Sequence, residues 1–60
     1  MKYDVLAVNI ETNTVRILAE DKYLEDAEAI VKMAVWRRGV EEEFFVEVEH
    51  GKYPEGACWK

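Results

Sequence analysis

Serine and glutamine are absent from this chain of 60 residues, while cysteine, histidine and proline occur once each, as Cys58, His50 and Pro54. Each shortage closes a route. A single thiol forms no intramolecular disulfide. One cysteine and one histidine, 8 residues apart, fall short of a four-ligand zinc site, and the Asp and Asn spacings match no calcium loop. No metal and no cofactor is therefore expected. Nucleophile candidates shrink to Cys58, Thr12, Thr14 and the tyrosines. A Cys58–His50 pair is conceivable across the short loop between them, but no third orienting group or oxyanion loop accompanies it. Glycine-rich phosphate cradles are missing too. The Arg37-Arg38-Gly39 step reads as the basic close of a helix rather than a phosphate contact. The expectation is a protein that is not an enzyme, with no catalytic residue.

Long apolar runs are also lacking. The longest, Val5 to Val8 and Met33 to Trp36, are four residues each, too short for a signal-peptide core or a membrane span. With a lone thiol, a reducing cytoplasm is the expected compartment, that of the host if the chain is phage-encoded. Basic charge is scarce: the net charge is −5, which makes nucleic acid an unlikely partner, since such binding depends on neutralising phosphates. The imbalance is local. Residues 1–40 hold seven acids and six bases, residues 41–60 six acids and two bases. Such an acidic end favours a basic partner or keeps a small protein soluble.

Residues 1–60 make a single domain. A chain this short buries only about 60% of the surface that its unfolded form exposes. With disulfide and metal set aside, association with a second copy is the expected reinforcement, and a homodimer the expected state.

Alternation of apolar residues predicts strands at about 3–10, 14–20 and 43–49. The first is apolar on both faces around its middle, as a central strand is. Glu11-Thr12-Asn13 supplies a tight turn in which Asn13 takes a left-handed conformation. A helix is predicted over about 24–38, with Asp21 as N-cap, Glu25 and Asp26 in its first turn, Arg37 and Arg38 in its last, and Gly39 ending it. Residues 40–45 are readable as strand or as a helical turn, and the tail 50–60 as irregular. The fold class is α+β, in the order β-β-α-β: a three-stranded antiparallel sheet, order 2-1-3, with one helix on one face.

Two apolar stripes run along the helix, where an ordinary surface helix has one. Leu24, Ala27, Ile30, Val31, Ala34 and Val35 form the candidate core face. Ala29, Met33 and Trp36 lie nearly opposite. Either the tail, through Tyr53 and Trp59, folds back over Met33 and Trp36, or these residues form an interface. Tyr3, Val5, Ala7, Leu18 and Phe45 are expected on the sheet face turned away from the helix, available for pairing with a second sheet in a symmetric dimer. Glu41, Glu43, Glu47 and Glu49 project from one side of the third strand. They read as a charged edge that resists aggregation, or as an acidic surface for a basic groove on another protein.

The segment from Ala27 to Val40, AEAIVKMAVWRRGV, followed by Glu42-Glu43-Phe44-Phe45 and by the Gly51-Lys52-Tyr53 to Gly56 tail that closes on Trp59, resembles small uncharacterised proteins encoded by phages and prophages of Gram-positive bacteria. The resemblance covers about half of the chain. It implies an accessory protein that binds, and inhibits, a host or defence protein, and it carries over no functional residue. Together these readings point to a small acidic protein-binding module, with Ala29, Met33, Trp36 and Phe45 as apolar contacts and Glu43, Glu47 and Glu49 as charge selectors. The alternatives are a single-stranded nucleic-acid accessory protein that stacks bases on Tyr3 and Phe45, and a structural, self-assembling component.

Overall fold

Val5, Leu6, Ala7 and Val8 are consecutive and have no solvent exposure. Consecutive residues of a strand point to opposite faces, so a strand with this run must be covered on both sides. A computed structural model of the chain, which describes residues 1–37 and 43–59, shows how that is achieved. Strands β1 (Tyr3–Asn9), β2 (Thr14–Lys22) and β3 (Glu43–Glu49) form an antiparallel sheet in the order β2-β1-β3, and helix α1 (Leu24–Arg37) connects β2 to β3. The predicted order and element positions hold. β2 and β3 each run antiparallel to β1, hence parallel to one another, so α1 crosses over β1 on its way between them. The ambiguous start of the third strand resolves as strand from Glu43 onward. Gly39, Glu41 and residue 38 lie outside the described residues.

The pairing register sorts the side chains. Asp4, Leu6 and Val8 share one face with Phe44, Val46 and Val48 of β3 and with Val15 and Ile17 of β2. This face is covered by the tail, whose Tyr53 and Trp59 pack against Leu6, Val8 and Val15. Trp59 meets Phe44 edge-on, with ring centroids 5.5 Å apart, and Tyr53 at 5.2 Å. The opposite face, with Val5, Ala7 and Phe45, lies under the helix, which packs chiefly across β3 and β1. The helix was expected on the Leu6 face, leaving Val5, Ala7 and Phe45 open for a second sheet. The reverse holds, and a sheet-to-sheet dimer through that face has no room. Within the helix Ala27 is buried and Ile30, Val31 and Ala34 are half-buried, whereas the stripe's two end members, Leu24 and Val35, remain 43% and 47% exposed.

Backbone bonds fix the rest. Asn9 Oδ1 accepts the Glu11 and Thr12 N–H groups at 2.9 and 3.0 Å, and Asn13, at φ 61°, donates its N–H to the Asn9 carbonyl. The hairpin turns there as expected, so Ile10 belongs to the turn and is exposed. The tail is more ordered than its composition suggests. It runs along the outer edge of β2: Val15 N–H donates to Ala57 C=O at 2.9 Å, Gly56 N–H to Val15 C=O at 2.8 Å, and Trp59 N–H to Asn13 C=O at 2.9 Å. The Glu55 carboxylate accepts the Ile17 N–H, and Asn13 Nδ2 donates to the Trp59 carbonyl.

The two tryptophans therefore occupy different environments. With Trp36→Phe, the remaining emission is expected to be blue-shifted and shielded from an aqueous quencher. With Trp59→Phe, it should be that of indole in water. Trp59→Ala should cost about 3 kcal/mol, the low end for a large aromatic because Trp59 is only half-buried. Equal quenching of the two single-tryptophan variants would contradict the seat assigned to the tail.

Candidate functional site

The outward side of α1 is the first feature. With the tail on the far face of the sheet, nothing among the described residues covers Trp36, which is 85% exposed, or Met33, which is 52% exposed. Ala29, one turn before Met33, is exposed as well. These three occupy one strip of helix surface, as their i, i+4, i+7 spacing requires. The alternative in which Tyr53 and Trp59 cover this strip is overturned.

β3 supplies the second feature. Glu43, Phe45, Glu47 and Glu49 stand opposite Asn9, Ala7, Val5 and Tyr3 of β1, on the helix side of the sheet. They are not equivalent. Glu43 is engaged by Arg16 Nη2 at 3.1 and 3.2 Å, a contact that reaches over β1 from β2. Phe45 is half-buried in the lee of the helix, and Glu47 half-buried; Glu49 is exposed. Base stacking on Tyr3 and Phe45 lacks its platform, because that face carries α1.

A third feature was not anticipated. Asp4 lies on the same side of β1 as Leu6 and Val8, its side chain only 3% exposed. A carboxylate there must find hydrogen bonds, because an unpaired buried charge is strongly unfavourable. Its Oδ1 accepts the Asp21 N–H at 2.9 Å and His50 Nδ1–H at 2.7 Å, and its Oδ2 accepts the Gly51 N–H at 3.0 Å. Three segments meet at this one group: β1, the end of β2, and the turn that leads into the tail. Two of the donors sit on left-handed backbone, Asp21 at φ 60° and Gly51 at φ 84°. The β1–β2 register shifts at this end of the sheet, past Leu18 and again across Glu20–Asp21. Asp21 is thus a bulge residue, not the expected N-cap. Tyr23 holds that position, its carbonyl accepting the Ala27 N–H at 2.9 Å. Lys2 closes the cluster from outside, 3.7 Å from Asp21 and 4.5 Å above the Tyr23 ring.

Burial by itself pushes the Asp4 pKa up; the hydrogen bonds from His50, Gly51 and Asp21, with the His50 charge, outweigh it and hold the group below its ordinary 3.8. The His50 imidazole is raised above 6.5, first by its hydrogen bond to Asp4, against a smaller opposing effect of desolvation, and then by the charges of Asp4, Asp21 and Glu20. With Nδ1 carrying the proton toward Asp4, Nε2 is the nitrogen left for other contacts. Cys58 is not near. It bridges Thr14, which pairs with Asn9, whereas the His50 N–H bonds Lys2 at the other end of β1. Seven strand residues, about 23 Å, separate the two ends, so the conceivable Cys58–His50 pair does not form. Among the described residues no three metal-ligating side chains converge, and no helix is long and apolar enough to cross a membrane. Comparison with protein-family models, with curated proteins and with solved structures finds no match.

The hub makes folding pH-dependent, with two signs. His50 is raised on folding, so its contribution is complete below its unfolded pKa near 6.5 and is lost as pH rises through the folded value. Asp4 is lowered, so its contribution is complete above 3.8 and is lost as pH falls through the folded value. Melting temperature against pH should therefore peak between these limits. His50→Ala should abolish the alkaline decline and also weaken the acid one, because the His50 hydrogen bond and charge help to hold Asp4 low. Asp4→Asn should weaken both and destabilise by about 1–3 kcal/mol, since one backbone N–H then faces an amide donor. An unchanged profile in His50→Ala would show that the pair carries no linkage.

Proposed function

We propose that this chain is a protein-binding module, a phage-type accessory protein that occupies, and inhibits by occupying, a surface of a larger host or defence protein. The observation that carries the reading is Trp36: 85% exposed beside a half-exposed Met33, on a helix face that the protein's own tail leaves bare. Isolated exposed apolar residues are ordinary, but an indole and a thioether one turn apart form the kind of patch that partners use. Tryptophan is enriched among the residues that dominate binding energy, and methionine adapts to irregular partner surfaces. Ala29 lets a partner approach the helix backbone closely. The glutamates of β3 select for basic charge on the partner, Glu47 and Glu49 more than Glu43, which Arg16 already engages. Phe45 contributes as the half-buried floor between helix and strand rather than as a projecting anchor. The same helix strip is the surface we assign to a homodimer.

Trp36→Ala tests this. Its stability should stay within about 0.5 kcal/mol of the wild type, because the side chain makes little contact within the fold. Binding to a protein captured from bacterial lysate should fall by at least about 30-fold, the effect of losing a dominant anchor. Retention of the captured protein by Trp36→Ala would reject the anchor. Recovery of nothing but further copies, lost with Trp36→Ala, would move the reading to a self-assembling component.

A further inference from the structure

The two outer edges of the sheet are finished differently. Along β2 the chain covers its own edge, with bonds to Asn13, Val15 and Ile17 from the tail. Among the described residues, β3 pairs only with β1. The bond from His50 N–H to Lys2 C=O sets the phase of that ladder. Hydrogen-bonded pairs alternate along an antiparallel ladder, so Val48, Val46 and Phe44 turn their backbone groups inward to β1. Glu43, Phe45, Glu47 and Glu49 turn theirs outward. The Glu49 carbonyl is taken by the Lys52 N–H at 3.1 Å. Among the described residues, the N–H and C=O of Phe45 and Glu47 and the N–H of Glu49 have no partner. An unpaired edge is a template for another strand.

We propose that the β3 edge receives an extended basic segment of the partner protein as a fourth strand of the sheet. This rests on the binding-module reading and specifies its chemistry. Charge complementarity selects the occupant. The residues with outward backbone groups also carry the glutamates, all on one side of the sheet. A second copy pairing β3 with β3 about a two-fold axis would set glutamates opposite or diagonal to glutamates, and like charges so placed repel. The net charge of −5 opposes that approach as well. A strand whose side chains on the helix side read apolar, basic, basic at alternate positions would meet Phe45, Glu47 and Glu49 in turn. Its backbone would satisfy the open groups of the edge, the mode in which main-chain bonds supply affinity and alternate side chains supply specificity.

The probe is a synthetic peptide of 7 residues, the length of β3, alternating threonine with valine, lysine and lysine, made in both chain directions, with a glutamate-for-lysine control. Amide exchange and chemical shifts are read by NMR on the full chain. The expected result is peptide-dependent protection of the Phe45, Glu47 and Glu49 amides by one direction of the basic peptide, weakened by salt, with none from the control. The double variant E47Q/E49Q should weaken binding about tenfold through the loss of two cross-strand ion pairs. Glu47→Pro should abolish the protection, because it removes an outward donor while the inner ladder, reported by Val46 and Val48, persists; if it unfolds, E47Q/E49Q decides alone. No protection, equal protection by the control, or protection that grows with protein concentration in the absence of peptide would each overturn the proposal. The peptide probes the edge alone and the lysate capture with Trp36→Ala probes the helix anchor, so failure of the one and failure of the other are read separately.

Discussion

Four neighbouring residues of β1 have no contact with solvent, and the arrangement of the other elements follows from keeping them so. A strand that is apolar on both faces needs two covers and a flank on each edge. Here one helix supplies the first cover, over Val5 and Ala7, and the tail supplies the second, over Leu6 and Val8. β2 and β3 supply the flanks. Among the described residues nothing is left to shield the outer side of the helix, and Trp36 and Met33 face solvent. The exposed strip is what remains once a chain of this size has enclosed its central strand.

Asp4 shows how a small fold with a single cysteine secures its corners. One carboxylate gathers a bulge in β2 and the turn after β3, accepting two backbone N–H groups and an imidazole. The donors need left-handed backbone at Asp21 and Gly51. Gly51 takes that conformation readily; Asp21 takes it at some cost, as aspartate can. Charge-assisted bonds to a buried group are the stronger kind. Such a group is also exacting, since any loss leaves an unsatisfied donor or acceptor.

The strands, the helix and the sheet order were legible in the sequence because they rest on periodicity, and Asn13 was legible because its left-handed turn has few candidates. Which face of β1 lies beneath the helix was not. With crossovers right-handed as a rule, that choice follows from whether Leu6 or Ala7 hydrogen-bonds to β3, a matter of register to which hydrophobicity is blind on a doubly apolar strand. The seat of the tail was hidden because backbone bonds to β2 hold it, and composition does not encode these. Of the candidate site, the strip of Ala29, Met33 and Trp36 was readable from helical spacing, while the unlike roles of Glu43 and Glu49 were not, since Arg16 reaches Glu43 from another strand. Asp4 left a signal that could have been followed: an acid in step with Leu6 and Val8 on a central strand requires a buried partner.

The tail that seals β2 has a consequence for how the chain assembles. Asn13 and Trp59 are 46 residues apart in sequence, and β1 cannot be flanked on its second side before β3 arrives from beyond the helix. Contacts so distant along the chain must each overcome loop closure before they stabilise anything. This protein is therefore expected to fold on the timescale of β-rich domains, milliseconds or slower, despite its length. The hairpin and helix are its local pieces, and the pairing of β1 with β3 and the joining of hairpin to tail are its long-range ones.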